Sequence, residues 1–472
     1  MSKRNLIIVF VLLVSMRSTA QTAMTLKQCV ETGITNNFDV LQRQLQAQSD
    51  EVNWKQAKLN MFPDLNASAG HSFNQGRSID PFTNTPVTQS FNSSNYSVSS
   101  NVILFNGLAI QNLIKQNSLT YQASKMDWQQ EKDNLTINII LAYLQVLSST
   151  DQLVQAKNQA TLSYQQVERL DVLNKEGAIK PSDLSDLKGQ YATDQLSIIS
   201  IQNSLETAKI NLCRLMNVPY KKDMVLEKIE PESFATTYAD TPDKIYQIAL
   251  EQLAMIKAAK FRKESAAKAI KVARGQLFPT LQFGGNAYTN YSSVAMQDLY
   301  INTTEVTSSD YVVVNGAQSP VIRKKDNFNT SKINYKDQLN NNLYTSFGFS
   351  LNIPLFNSLQ QRNRIKQAKI TYKNTELSEY TTKTQLSQAI DQAYINLNTA
   401  ADRYKTILEQ VNAFDESFRA AGIRFNSGVG TSIDYLTAKN NLDGSNINLI
   451  IAKYDYVLRT KILDYYQGKQ LW

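Results

Sequence analysis

Histidine, cysteine and the two residues that interrupt regular structure are all scarce in this chain. His71 is the single histidine, and Cys29 and Cys213 are the only cysteines, among 472 residues. One histidine without spaced cysteines cannot build a zinc site or a histidine-based nucleophilic triad. The two thiols fit neither a metal-ligand spacing nor a disulfide framework. With 16 glycines and 10 prolines, the chain is too poor in turn formers for a loop-rich sandwich or a disordered polymer. No glycine-rich phosphate loop is present. Asp183 and Asp186, one helical turn apart, read as a solvated face rather than an acid–base pair. These absences predict a protein without enzyme activity and without a cofactor. The formal charge of +8 is mild for the length and gathers into no basic cluster that would follow a phosphate backbone, so nucleic acid is excluded as a partner.

Long apolar runs are missing as well. Lys3 and Arg4 precede an apolar stretch, Leu6 to Val14, and then Ser18-Thr19-Ala20. That order predicts a signal peptide over residues 1–20, cut after Ala20. No later segment approaches the 18 consecutive apolar residues that a transmembrane helix needs.

What the chain does contain is a copy of itself. Lys58-Leu59-Asn60-Met61-Phe62-Pro63-Asp64-Leu65 recurs, loosely, 216 positions later as Arg274-Gly275-Gln276-Leu277-Phe278-Pro279-Thr280-Leu281. Leu104-Phe105-Asn106 recurs as Leu355-Phe356-Asn357, and Gly177 and Asp183 recur as Gly428 and Asp434, all 251 positions on. The offset changes once, by 35 residues, between the Phe-Pro and Leu-Phe-Asn landmarks. One domain-sized unit has therefore been duplicated, with a longer insertion in its second copy. The expected division is a first repeat over 21–220, a linker over 221–242, a second repeat over 243–468 and a tail over 469–472.

Each half reads helix, strand, strand, helix, helix. Ile139, Ala142, Val146, Ser149, Leu153 and Ala156 begin a 3-4 spaced seam that continues to Leu170; Ile390 to Ala421 repeats it. Ala109 to Glu176 contains neither Gly nor Pro, enough for about 100 Å of helix. Glu176-Gly177 followed by Pro181-Ser182-Asp183, and Ser427-Gly428-Val429-Gly430-Thr431-Ser432, pair a helix stop with a helix start. Both are expected to be tips of helical hairpins.

Between the helices the period falls to two. Thr345, Phe347, Phe349, Leu351 and Ile353 alternate with Ser346, Gly348, Ser350 and Asn352. Segments 65–75, 94–104 and 281–291 alternate in the same manner. Each is about ten residues, the length of a tilted strand that crosses a bilayer. An open sheet edge cannot face lipid, so four strands per chain call for several chains. Three chains supply twelve strands and room for a lumen. The surplus of the second half, between Thr289 and Asn342, is expected to be an outward-facing loop.

The ordered set of landmarks resembles the outer-membrane efflux protein family, the TolC-like channels, over roughly residues 25–468. The resemblance implies a fold that is mainly α with membrane β. Its duplicated β-β-α architecture would place long coiled-coil helices in a periplasmic α-barrel and four strands per chain in a trimeric 12-stranded outer-membrane β-barrel. It further implies a homotrimer in outer-membrane lipid that serves as a passive exit duct for a tripartite efflux pump or a type I secretion system. An inner-membrane pump and a periplasmic adaptor (membrane fusion protein) would dock at the tip. The implied tip residues are Gly177, Asp183, Gly428, Gly430, Thr431, Ser432 and Asp434. Asp434 matches a narrowing acidic position. Ser432, or nothing, stands where the family's best-known member has a basic residue, and Thr437 occupies a second acidic position. Two rivals share the helical periodicity, a secreted coiled-coil structural or adhesive protein and a periplasmic adaptor. Four bilayer-length strands argue against the first, and two matched halves argue against the second.

Overall fold

A computed structural model describes residues 23–81, 84–229, 238 and 240–471. The expected signal peptide, residues 230–237 of the expected linker and Trp472 lie outside the described residues. Two compact units are present: a helical one from Met1–Asn53, Asn117–Ala266 and Ile370–Trp472, and a strand-bearing one from Trp54–Gln116 and Ala267–Lys369.

In the helical unit, α1 (Leu26–Asn36) opens on a capping box in which Thr25 and Gln28 satisfy each other's backbone N–H groups. Asn37 is extended, so α1 stops and α2 (Phe38–Leu59) starts anew. The longest helices, α3 (Ala109–Lys175) and α8 (Gln360–Asn426), have 67 residues each. They are followed by α4 (Pro181–Met216) and α9 (Ser432–Tyr466). Between the two sets come α5 (Pro242–Gln252) and α6 (Ala254–Gly275), separated by the extended Leu253. Thr25 and Thr241, like Asn37 and Leu253, differ by 216 positions. The ends of α3 and α8 differ by 251.

The expected seam of α3 is the buried one: Ile139, Val146, Ser149, Ala156 and Ser163 all fall below a tenth exposed. That of α8 is buried at Ile390, Ala393, Leu397, Ala400 and Ala421, and half-buried between Tyr404 and Phe418. Small residues in the seam let helices approach closely. A Cβ added to Gly33 in α1 would lie 2.3 Å from Ile139 Cδ1. The main core gathers Val30, Ile139, Tyr143, Leu212, Ile245, Ile390 and Leu463 from six helices. Tyr143 donates its hydroxyl proton to the Glu227 carbonyl at 2.6 Å, which fixes the segment after α4 against that core. Cys29 and Cys213 are unlinked, buried members of the same core. Burial and the neighbouring Cys213 push the Cys29 thiol up to about 12, so it is unreactive.

The strand-bearing unit holds a four-stranded antiparallel sheet in the order β1-β4-β5-β8, with β1 Asn66–Asn74, β4 Phe91–Phe105, β5 Thr280–Ser292 and β8 Tyr344–Asn352. These are the four segments singled out by alternation. A short pair, β2 (Ser78–Ile79) and β3 (Pro86–Val87), lies in the β1–β4 connection. The 35-residue surplus is not irregular: β6 (Met296–Val314) and β7 (Ala317–Lys332) form one long hairpin around an Asn315-Gly316 turn, both with positive φ. The helix α7 (Tyr335–Asn341) follows it. Alternation in that hairpin is blurred by two register shifts, after Tyr300 and after Thr307, which hid its strands from a period-two reading.

Candidate functional site

Two places combine unusual chemistry with a fixed geometry, the sheet and the hairpin tips. In the sheet, the register aligns Ala67, Val98, Ala287 and Thr345 across all four strands, and Val102, Phe283 and Phe349 across three. All point one way, as side chains two apart must. Phe347, Phe349 and Leu351 are 83%, 71% and 60% exposed, so this apolar face is bare over most of its length; at one end Tyr335 of α7 lies on it against Tyr96 and Tyr291. Phe283 and Phe349 stack on it with centroids 5.0 Å apart. The opposite face is mainly Ser, Asn, Gly and Gln, with Ile103, Tyr288 and Tyr344 as its larger members. Ser68 hydrogen-bonds Ser97 at 2.7 Å, and Ser346 donates to Asn286. A sheet with apolar side chains facing out and polar ones facing in has the pattern of a membrane barrel wall. Among the described residues, β1 and β8 each keep one edge without a strand partner.

At one end of the sheet, Asp80, Ser292 and Gln338 form a buried polar knot. The Ser292 hydroxyl donates to Asp80 at 2.5 Å, and the Gln338 amide donates to the Ser292 and Ile333 carbonyls. The β2–β3 connection, the end of β5 and α7 are thereby held with their buried polar groups satisfied.

The tips are built on glycine. Gly177 and Gly428 adopt φ of +68° and +74°, and the next helix restarts at Lys180 and Thr431 respectively. A small core holds the α3–α4 and α8–α9 hairpins of one chain together. Tyr435 stacks on Phe425 at 5.0 Å and meets Phe418 at 5.4 Å, over Leu170, Leu184 and Leu187. Burial pushes the Tyr435 phenol up to about 12.

The expected tip residues divide into two groups. Thr431 and Asp434 close a capping box at the start of α9, with Thr431 Oγ1 donating to Asp434 Oδ2 at 2.8 Å. That hydrogen bond, helped by the Thr431 N–H, keeps the Asp434 carboxyl below its ordinary value. Ser432 belongs to the other hairpin's chemistry. Its hydroxyl is 3.0 Å from both Asp183 Oδ1 and Asp186 Oδ2 and donates its one proton to either. Asp186 is exposed and Asp183 half-buried, so the pair keeps the solvated side that its spacing suggests, and tertiary packing adds a buried serine between the two carboxylates. Gly430 turns the chain close to Arg424 and Phe425.

One cluster escaped the sequence reading. Lys439 on α9 is 1% exposed, and its ammonium donates to Asp194 at 3.0 Å and Asp443 at 2.6 Å. Ser163 of α3 and Gln190 of α4 donate to the same Asp194 at 2.5 and 2.8 Å. Burial holds the Asp443 carboxyl above its usual range, against the pull of Lys439. The only signal in the sequence was a lysine near the apolar seam of α9, which is indistinguishable from a snorkelling surface lysine.

This fold, long helices with a four-stranded wall, is the fold of outer-membrane channels. It resembles VceC of Vibrio cholerae (TM-score 0.72, 13% identity, 95% of this chain and 97% of that one). It also resembles the Campylobacter jejuni CmeC channel (0.72, 13%, 94% and 87%) and the open state of Neisseria gonorrhoeae MtrE (0.67, 15%, 94% and 89%). The sequence model of the outer membrane efflux protein family matches residues 30–218 and 245–465. The chain belongs to that family; it is an outer-membrane protein and not an enzyme. It is 19% identical to the outer membrane protein TolC of Salmonella enteritidis, over 72% of this chain and 62% of that protein. Identity to TolC of Escherichia coli (strain K12) is 20%, over 74% and 65%, so the matched chain spans somewhat under two thirds of those relatives. The outer membrane efflux protein BepC of Brucella suis is 20% identical, over 80% and 73%.

Proposed function

We propose that three copies of this chain close into a passive exit duct through the outer membrane. The observation that carries this reading is the two-faced sheet. An apolar face left bare and two unpaired edges are satisfied together only by lipid outside and by neighbouring copies at each edge. Three sheets of four strands give a twelve-stranded barrel whose polar face lines a lumen. The half-buried stretch of the α8 seam, Tyr404 to Phe418, would be covered by helices of an adjacent copy in an α-barrel. Matched boundaries at offsets of 216 and then 251 support an ancestral duplication, with repeats over 21–220 and 243–468, a linker over 221–242, a tail over 469–472 and a signal peptide ahead of them.

In this reading the six hairpin tips of a trimer converge, and Asp434, Asp183 and the glycine turns at 177, 428 and 430 form rings at the narrow end. Ser432, held between Asp183 and Asp186, would tie the two hairpins of one copy in place of a basic latch residue. A periplasmic adaptor and an inner-membrane pump would engage there. The test is a heat-resistant trimer on unboiled gels of outer-membrane fractions, followed by its conductance in planar bilayers. A soluble monomer without conductance would refute the duct.

A further inference from the structure

The four wall strands, β1, β4, β5 and β8, contain no Asp, Glu, Lys or Arg, although 19% of the chain is charged. On the lipid side the membrane demands that absence. On the lumen side it does not, because water there would hydrate a charge at little cost. The lumen face is instead mostly serine, asparagine, glycine and glutamine, with two tyrosines set among them, Tyr288 of β5 and Tyr344 of β8.

These tyrosines are direct cross-strand partners. Their ring centroids lie 5.2 Å apart at an interplanar angle of 48°, and they are 45% and 53% exposed. Side chains two apart on a strand share a face, so Asn286 and Asn290 flank Tyr288, and Ser346 flanks Tyr344. Ser97 stands opposite Tyr288 on β4. The protein uses only part of what these groups offer. Asn286 accepts from Ser346, Asn290 donates to the Pro81 carbonyl at 2.7 Å, and Ser97 shares one hydrogen bond with Ser68 at 2.7 Å. A side-chain amide has two protons and an acceptor oxygen, and a hydroxyl has one proton and two lone pairs, so each keeps capacity for a ligand. In the duct the next copy's β1 would stand beside β8. Whatever its register, it adds only Asn66, Ser68, Gly70, Ser72 and Asn74 to this face, again without charge.

Aromatic rings in a neutral wall of amides and hydroxyls select by chemistry. A ring face takes an apolar C–H surface, while amides and hydroxyls exchange hydrogen bonds with neutral hydroxyl groups. An ion finds no counter-charge here. A wholly apolar molecule would strip water from the amides without replacing their hydrogen bonds. A pyranose ring meets both demands, with C–H groups on its faces and hydroxyls around its edge. We propose that the Tyr288–Tyr344 patch binds neutral carbohydrate as it passes along the lumen. The site rests on the duct proposed above and names a class of cargo for it. A trimer carries three such patches around a twelve-stranded wall, which leaves the bore open.

The test records single-channel currents of the full-length trimer in planar bilayers. Maltohexaose is the probe, and a polyethylene glycol of equal hydrodynamic size controls for mere volume. The expected result is a saturable fall in conductance with excess current noise for maltohexaose, and neither saturation nor noise for the glycol. Tyr288→Leu with Tyr344→Leu keeps apolar bulk but removes the flat rings, and should weaken the maltohexaose effect about tenfold. Equal effects of the two probes on the unsubstituted trimer would overturn the site, whether or not the double variant assembles. So would a maltohexaose effect that survives the double substitution in an assembled trimer. Stronger block by benzyltrimethylammonium than by maltohexaose would overturn it in favour of a cation held over the ring faces. An unsubstituted chain that forms no conducting trimer would remove the duct, and the site with it, a result distinct from each of these.

Discussion

At the scale of single residues, the tip shows how a buried charge is tolerated. Lys439 is shielded from water but surrounded by Asp194 and Asp443, with Ser163 and Gln190 completing the coordination of Asp194. Removing only the cation leaves carboxylates without their partner, a change that costs about 3–5 kcal/mol in buried pairs. Lys439→Met should therefore lower the thermal midpoint of the detergent-solubilised protein markedly. Lys439→Met with Asp194→Leu should regain most of the loss, because only Asp443 then remains as a buried carboxyl, and burial already raises its pKa. Circular dichroism melts of both variants check this.

Thr431 and Asp434 separate capping from conduction. Thr431→Ala removes the cap, worth about 1 kcal/mol, but no charge, whereas Asp434→Asn removes the charge and keeps an acceptor. If Asp434 rings the constriction, planar-bilayer recordings of Asp434→Asn will show weaker cation selectivity and relief of block by divalent ions, with Thr431→Ala unchanged in both. The same selectivity in both variants would make Asp434 a cap only. The pH dependence has a fixed sign. Because the folded carboxyl titrates below its ordinary value of 3.8, its stabilisation is complete above that value and is lost as pH falls through the lower folded one.

At the scale of elements, the sheet is a filter that reads side-chain parity. Phe349 and Ser350 are neighbours in sequence on opposite faces of β8. A lysine at Phe349 would face lipid at a cost of about 2–4 kcal/mol near the membrane centre. The expected outcome is loss of heat-resistant trimer from the outer membrane. A lysine at Ser350 would face the lumen, leave assembly unaltered and shift conductance towards anions. Equal behaviour of the two variants on gels would mean that the faces are misassigned. The helices obey another parity: α3 buries the 3-4 seam that its sequence announces, while α8 leaves Tyr404 to Phe418 half-bare. The difference lies in what surrounds the two helices, since both have the same length and the same spacing.

At the scale of the whole molecule, the long β6–β7 hairpin turns at Asn315-Gly316 beyond the sheet end that Asp80, Ser292 and Gln338 knot together. An epitope inserted at Asn315-Gly316 should label on intact cells, since both residues lie in a tight exposed turn. Labelling only after permeabilisation would invert the topology. The family, the four wall strands, both hairpin tips and the seam of α3 were legible in the residues themselves. They depend on local period, on Gly and Pro punctuation and on a repeat, all of which are properties of sequence order. The β6–β7 ribbon was not legible, because two register shifts break its alternation. Nor were the Lys439 cluster and the Ser432 bridge between Asp183 and Asp186, whose partners lie 245 to 249 positions apart. Sequence order alone determined which face each side chain takes; only the packing of distant helices decided which charges would meet without water, because burial is set by neighbours that no local pattern names.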